Sequence, residues 1–287
     1  MSHEKGPSSL QDGTLPVRPS ETQDYIRCPR YWYWKHVEGW EAPPSAWTPE
    51  RLMGTAVHNG LRVYWQGRQE GETRPVGMAE GVGIIFEYDW PEDAPPEFSK
   101  EGLQDQALKV LDAVLRWIAK EMPDAEPVMV EQSLGSNGHT TPDLVTRESG
   151  QLVVTDWKTS WNVPADRVRY RLEGIERDHQ FLHYCWAVGK HLGEPVKLFR
   201  KVVIVGSPRI IIKDVTFQPS PQAIEYWLTG ARQLWKDMAQ VRSDERVASQ
   251  NPNGCKMYGD KYPCSYYEAC WTCHGDSDRM RQFLVRR

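Results

Sequence analysis

The chain has 287 residues, 39% hydrophobic and 26% charged, a composition that sustains a packed core and excludes global disorder. A formal net charge of −4 excludes a strongly basic nucleic-acid coating protein, but not a nuclease, which needs only a local basic groove. No apolar run approaches the roughly 18 residues of a membrane helix, and the polar, Gly-, Pro- and Ser-rich first residues read as neither signal nor transit peptide. A soluble, cytoplasmic protein without a membrane partner is expected.

Residues 1–19 read as a disordered tail. Order is expected from Ser20, a candidate N-cap followed by Glu21 and Asp24, and residues 20–36 predict a helix or two short ones broken near Pro29. Residues 48–66 place Leu52, Val57, Leu61 and Tyr64 on one helical face. Residues 100–121 do the same with Leu103, Ala107, Leu111, Leu115 and Ile118. A proline-rich acidic loop, 90–98, lies between them. The period then shortens. Residues 127–134, 141–147 and 152–156 predict strands, the last two joined at Glu148-Ser149-Gly150. A helix is expected over 177–191, an antiparallel pair over 199–205 and 209–217, and a long helix over 221–246. The order predicts an α+β fold with a mixed central sheet flanked by helices, in one domain spanning 20–287.

One constellation carries chemistry. Pro142-Asp143 is followed thirteen positions later by Asp156-Trp157-Lys158, the pattern P-D…D-x-K. Two carboxylates offer hard oxygen ligands to Mg²⁺ or Mn²⁺. On a strand, residues i and i+2 share a face, so Lys158 stands beside Asp156, where an ammonium can position water and offset phosphodiester charge. Upstream, Gly54-Thr55-Ala56-Val57-His58 sets a histidine on a helix. Downstream, Gln180 and Tyr184 stand four apart on one helix face.

These motifs, in this order, resemble the RecB-like branch of the PD-(D/E)XK nucleases, most of all the iron–sulfur forms of phages and CRISPR-adaptation systems and the nuclease domain of AddB-type proteins. The resemblance implies a restriction-endonuclease-like core and a metal-dependent DNA nuclease, an exonuclease with single-strand preference, in a bacterial or phage-infected cell. It implies that His58, Asp143 and Asp156 ligate the metal, with the Trp157 carbonyl as a further ligand. Lys158 becomes the catalytic lysine, and Gln180 and Tyr184 orient it or hold the DNA strand. Glu131 is read as structural ahead of an accessory acid. Two other readings compete: a non-catalytic DNA-binding scaffold on the same fold, and a zinc-tailed interaction module.

Six cysteines occur: Cys28, Cys185, Cys255, Cys264, Cys270 and Cys273. Four thiolates at one centre suit zinc or an iron–sulfur cluster alike. The resemblance implies a [4Fe–4S] cluster on Cys28, Cys255, Cys264 and Cys270, with the segment 250–275 closing onto the first helix. Cys273 is the spare or the substitute, and structural Zn²⁺ is the alternative. Cys185 reads as a buried small hydrophobe.

DNA that is single-stranded or has free ends is the expected partner. Tyr31-Trp32-Tyr33-Trp34 would stack on bases, or pack the core, and Arg167, Arg169, Arg171, Arg177, Arg200 and Lys201 would track phosphates. The chain shows no Walker-type G-x-x-x-x-G-K-[ST], so any helicase partner is a separate chain.

Overall fold

A computed structural model describes residues 18–41, 48–72, 77–92, 94, 96–134, 140–161, 163–164, 167–173, 179–207, 209–244, 248–251, 255, 264, 266–267, 270, 279 and 282–286. In chain order the elements are α1 (Pro19–Arg27), α2 (Pro29–Trp32) continued by a π-helical turn (Tyr33–Val37), β1 (Trp40–Glu41), α3 (Pro49–Gln69), α4 (Met78–Tyr88) and α5 (Lys100–Glu121). There follow β2 (Glu126–Val130), β3 (Leu144–Glu148), β4 (Gln151–Ser160), α6 (Val168–Leu172), α7 (His179–Leu192), β5 (Leu198–Val205), β6 (Ile211–Phe217), α8 (Pro221–Ser243) and β7 (Val285–Arg286). Among the described residues, no helix is long and apolar enough to cross a membrane.

Local chemistry sets the helix starts. Pro19 opens α1 and Pro49 opens α3 at a first-turn position, where a missing N–H costs nothing and φ is preset. Ser20 therefore lies inside the first turn of α1, and Arg18 takes the cap position in place of the expected serine. Thr48 caps α3 by accepting from Arg51 N, and Ser99 caps α5 by accepting from Gly102 N at 2.9 Å.

The described residues form two compact units, one within 48–224 and the other from 18–41 with 225–286. The first holds a five-stranded sheet in the order β2-β3-β4-β5-β6. Every neighbouring pair is antiparallel except β4 and β5, which run parallel. The β3–β4 hairpin turns on Ser149 (φ 47°) and Gly150 (φ 78°), the left-handed pair of a two-residue turn whose twist matches the strands.

One sheet face packs Leu144, Trp157, Val202 and Ile204 against Leu52, Val57 and Leu61 of α3 and Val110, Leu111 and Val114 of α5. Each such side chain contributes roughly 1.5–3 kcal/mol on burial. On the other face, Phe181 of α7 packs on Phe199 and Phe217 at 4.6 and 5.0 Å between ring centroids. That alternation leaves Asp156 and Lys158 on the α7 side of β4.

At the ends of β4 and β5, the Trp161 ring lies against the Gly206 backbone. A Cβ on Gly206 would sit 1.8 Å from the ring. Trp161 is rigid and 9% exposed, so it cannot yield as a flexible chain end would. Gly206→Ala is therefore expected to destabilise the protein by about 2 kcal/mol or more, read as a fall in denaturation midpoint at unchanged m.

The second unit buries Tyr25, Trp32, Trp34, Trp40, Met238, Val241 and Leu284. Its N-terminal segment is stitched to the chain around Ser249. Arg30 N donates to Ser249 O at 3.2 Å, Arg30 Nε to Ala248 O at 3.2 Å and Asn251 Nδ2 to Arg27 O at 2.7 Å. The C-terminal segment thus closes onto the first helices, with β1 and β7 paired beside them.

Candidate active site

Asp143 lies one position before β3. The hairpin register that pairs Leu144 with Thr155 sets Asp143 across from Asp156. Its carboxylate is fixed there, with Oδ2 accepting from the backbone N of Trp157 at 2.8 Å. Asp156 is 3% exposed, and its Oδ1 lies 2.9 Å from Lys158 Nζ. Burial pushes the Asp156 carboxyl up to about 6, against the lowering pull of Lys158, and the charge of Asp143 adds to the rise. Burial raises Asp143 as well, with Lys158 and the Trp157 N–H opposing. Lys158 is held above its ordinary value because the attraction of both aspartates outweighs its burial.

α3 and α7 bring the remaining side chains. Burial and the nearby Lys158 charge depress His58 to about 4, so the imidazole is neutral and its lone pair is available. Gln180 Nε2 donates to Tyr184 Oη at 2.8 Å, and burial pushes the Tyr184 hydroxyl up to about 12, keeping it protonated. His58, Asp143, Asp156, Lys158, Gln180 and Tyr184 therefore gather in one neighbourhood, with Trp157 holding Asp143 from the backbone. The Trp157 side chain points into the core, edge-on to Trp117.

Two residues outside the sequence motifs join them. Glu131 has its carboxyl raised by burial and by the charge of Asp143. Its backbone is left-handed at φ 43°, and its N donates to Asp143 O at 3.1 Å. Arg62 Nε lies 3.8 Å from Glu131 Oε2, while its guanidinium donates to Asn59 Oδ1 and Gln66 Oε1. Asn59 in turn donates to Gly81 O at 2.6 Å, on α4. The helix carrying His58 is thereby linked to the strand end carrying Asp143. No motif marked Arg62; its spacing of four from His58 was the one available signal.

Several expected nucleic-acid contacts are not available. Trp32, Tyr33 and Trp34 are buried in the core of the second unit, so they pack rather than stack on bases. Arg200 is 7% exposed and makes a two-pronged pair with Glu148 at 2.7 and 2.8 Å. The strand register turns it onto the sheet, away from any phosphate chain. Arg169, by contrast, is exposed and pairs with Glu173 at 3.0 Å only across the helix surface, so a phosphate can still reach it. Arg177, and the side chain of Arg171, lie outside the described residues, as does Cys273.

The family model of the PD-(D/E)XK nuclease superfamily matches residues 17–271. The chain belongs to this superfamily. The solved structures similar to this nuclease include a protein of Eubacterium rectale provisionally named an exonuclease. It is 15% identical, with 95% of this chain and 98% of that one covered at a TM-score of 0.52. A second, SSO0001, is 15% identical over 69% of this chain and 86% of its own, with a TM-score of 0.25. No curated protein matches.

Nucleases of this superfamily typically use Mg²⁺ or Mn²⁺. Among the described residues, no three His, Cys, Asp or Glu side chains are gathered as they stand around a single metal position. One oxygen of Asp156 faces Lys158 and one of Asp143 faces the Trp157 N–H. The donor chemistry nonetheless fits a hard divalent ion. Asp143 lies close enough to raise the proton affinity of Asp156, beside a neutral imidazole, and a cation relieves that repulsion.

In the second unit of the nuclease, Cys28, Cys255, Cys264 and Cys270 line one cavity of about 10 Å³ together with Tyr31, Trp34, Tyr266 and Tyr267. None of the four is in a disulfide. Gln250 Nε2 donates to Cys270 Sγ at 3.0 Å. Burial pushes the Cys270 thiol up to about 11 and raises Cys264. The four thiols share this cavity, but no three of them are gathered around a single metal position as they stand. Cys185 lies apart, on α7, buried as the sequence suggested.

His183 supplies a pH handle. It is 2% exposed, its Nε2 is 2.6 Å from Thr140 Oγ1, and burial lowers it to about 4. The unfolded chain binds this proton near pH 6.5 and the folded one only near 4. The histidine's contribution is thus fully present above 6.5 and is lost as the pH falls toward 4. The stability gap between wild type and His183→Gln is expected to narrow over that window, by on the order of 3 kcal/mol. Urea titrations at pH 7.5 and 4.5 measure it, and a gap that does not change with pH would show that His183 titrates normally.

Proposed function

We propose that this nuclease is a metal-dependent deoxyribonuclease that removes nucleotides from DNA ends, single strands in preference, in recombination, repair or processing. The observation that carries the reading is the pair of aspartates set across the β3–β4 hairpin with Lys158 Nζ 2.9 Å from Asp156. His58, Asp143, Asp156 and the Trp157 carbonyl would hold Mg²⁺ or Mn²⁺, which when bound polarises the phosphate and lowers the pKa of a coordinated water.

The chain's own groups do the rest. Lys158, on the shared face of β4, orients the attacking water and offsets the negative charge that grows on the phosphate oxygens. Tyr184, protonated and hydrogen-bonded to Gln180, presents a fixed donor to the strand or to the lysine. Burial of Asp156 strengthens each of these interactions by lowering the local dielectric. The exonuclease name of the Eubacterium rectale neighbour is what suggests action from ends. Single-strand preference draws on an open cavity beside His58 rather than on the buried aromatics.

The same reading includes a [4Fe–4S] cluster on Cys28, Cys255, Cys264 and Cys270, with Zn²⁺ as the alternative occupant. It also includes action in the cytoplasm of a bacterial or phage-infected cell, alongside any helicase on a separate chain. The test is incubation of linear single-stranded, linear duplex and closed circular single-stranded DNA with Mg²⁺ or Mn²⁺. Loss of the linear single strand with the circle intact is expected. Equal attack on the circle would replace end-dependent with internal cleavage. Failure to cut any DNA with either metal would remove the reading.

A further inference from the structure

The first turns of α3 and the end of β4 enclose an open cavity of about 500 Å³. Arg51, Thr55 and His58 form one wall, and Thr159, Ser160 and Trp161 the other. We infer that this cavity is a nucleoside subsite, which receives the sugar and the unpaired base next to the phosphate held at Lys158. The inference rests on the nuclease reading and names the substrate form that the same site takes.

Position is the first argument. His58 belongs both to the cavity wall and to the charged neighbourhood of Asp156 and Lys158. Thr159 shares the α3 side of β4 with Trp157, opposite Lys158, so His58 is the residue that joins the cavity to the charged groups. The cavity also lies at the C-terminal end of β4, beside its parallel neighbour β5, the end at which parallel sheets present ligands.

Lining chemistry is the second. The interior offers hydroxyls from Thr55, Thr159 and Ser160. Thr55 Oγ1 donates to Arg51 O at 3.1 Å, which leaves its lone pairs as acceptors for a base or sugar donor. A volume of about 500 Å³, open to solvent on one side, is in the range of small-molecule sites. A paired base would have to leave its stack to enter, so unpaired ends are favoured.

The third argument is that the walls are built rather than incidental. Trp161 is locked by the absence of a side chain on Gly206, and α3 approaches β4 so closely that a Cβ on Gly54 would lie 2.7 Å from Thr159 Oγ1. Two glycines thus permit the close approach of these walls, which a side chain at either position would disturb.

Thr55→Trp tests the inference by filling the cavity from an exposed helical position, and Thr55→Glu does so with a smaller, charged side chain. Binding of a fluorescent oligothymidylate, measured without divalent metal, is expected to weaken about tenfold in both variants. Their thermal midpoint and the rise in midpoint produced by Mn²⁺ should match wild type. On single-stranded DNA the loss should fall in KM rather than kcat. Wild-type binding in either folded variant would overturn the inference, as would a lost Mn²⁺ response, which would place the effect at the metal site. Because the binding arm reads no cleavage, an inactive wild-type protein would end the nuclease reading while the cavity remained testable.

Discussion

Lys158→Ala is expected to slow DNA cleavage by about three orders of magnitude while Mn²⁺ binding persists. The lysine touches Asp156 at 2.9 Å and lies on the face where water and phosphate must meet, but it is not itself a metal donor. The partner substitution separates charge from fold. Asp156→Asn keeps an oxygen acceptor for Lys158 Nζ and removes a carboxylate that burial already penalises. Metal-free Asp156→Asn should therefore melt at or above the wild-type temperature, yet lose both cleavage and the Mn²⁺-induced rise in midpoint. If Asp156 were a structural member of an ion pair, the same variant would melt lower and keep its metal response.

The second large effect is expected at the cysteines. On the proposed cluster, serine at Cys28, Cys255, Cys264 or Cys270 is expected to abolish its absorption and lower stability by several kcal/mol, since a centre with four thiolates would contribute folding energy directly. Cys28 and its neighbour Arg27 lie 221 and 224 residues from Ser249 and Asn251, the segment that the fold returns to them, as the Cys28 Sγ to Ser249 O and Asn251 to Arg27 contacts show. Losing one ligand releases a loop of that size. Cys185→Ser should leave the absorption unchanged. Anaerobic purification followed by iron, sulfide and zinc analysis decides the occupant. Iron and sulfide in equal amounts support the cluster, whereas stoichiometric zinc without colour replaces it with a structural zinc site. Cys273→Ser, run beside Cys255→Ser, decides which of the two cysteines is the ligand.

Much of the fold was legible because its signals are local. The bounds of α5 follow from Ser99 as cap and an apolar stripe that ends at Glu121. The β3–β4 hairpin follows from Ser149-Gly150, a pair that tolerates positive φ. α4 was missed. Gly81 and Gly83 weaken its helical pattern, although Gly81 is needed where a Cβ would lie 2.9 Å from Val63. β4 runs four residues past its expected end, because Trp157 to Ser160 look polar and mixed in sequence yet pair with Val202 to Val205 in the sheet. β1 and β7 are two residues each and pair across the length of the chain, a contact with no local sign.

The candidate site divides in the same way. Asp143, Asp156 and Lys158 were readable because hairpin register and strand period depend on spacing alone. Glu131 was named, as structural ahead of an accessory acid, but Arg62 was not, because the link between them joins a helix to a strand end 69 positions away and Arg62 has no motif of its own. Charge was the least reliable guide. Arg200 reads as a phosphate contact in sequence, and only the pairing of β5 beside β4 and β3 shows that its partner is Glu148.

One measurement bears most directly on the central claim. End-labelled single-stranded DNA is incubated with Mn²⁺ and wild-type, Asp143→Asn, Asp156→Asn or Lys158→Ala protein, each shown to be folded by its thermal midpoint. Progressive shortening by wild type alone, stopped by EDTA, is the predicted result. Shortening at the wild-type rate by any one of the three folded variants would contradict the account.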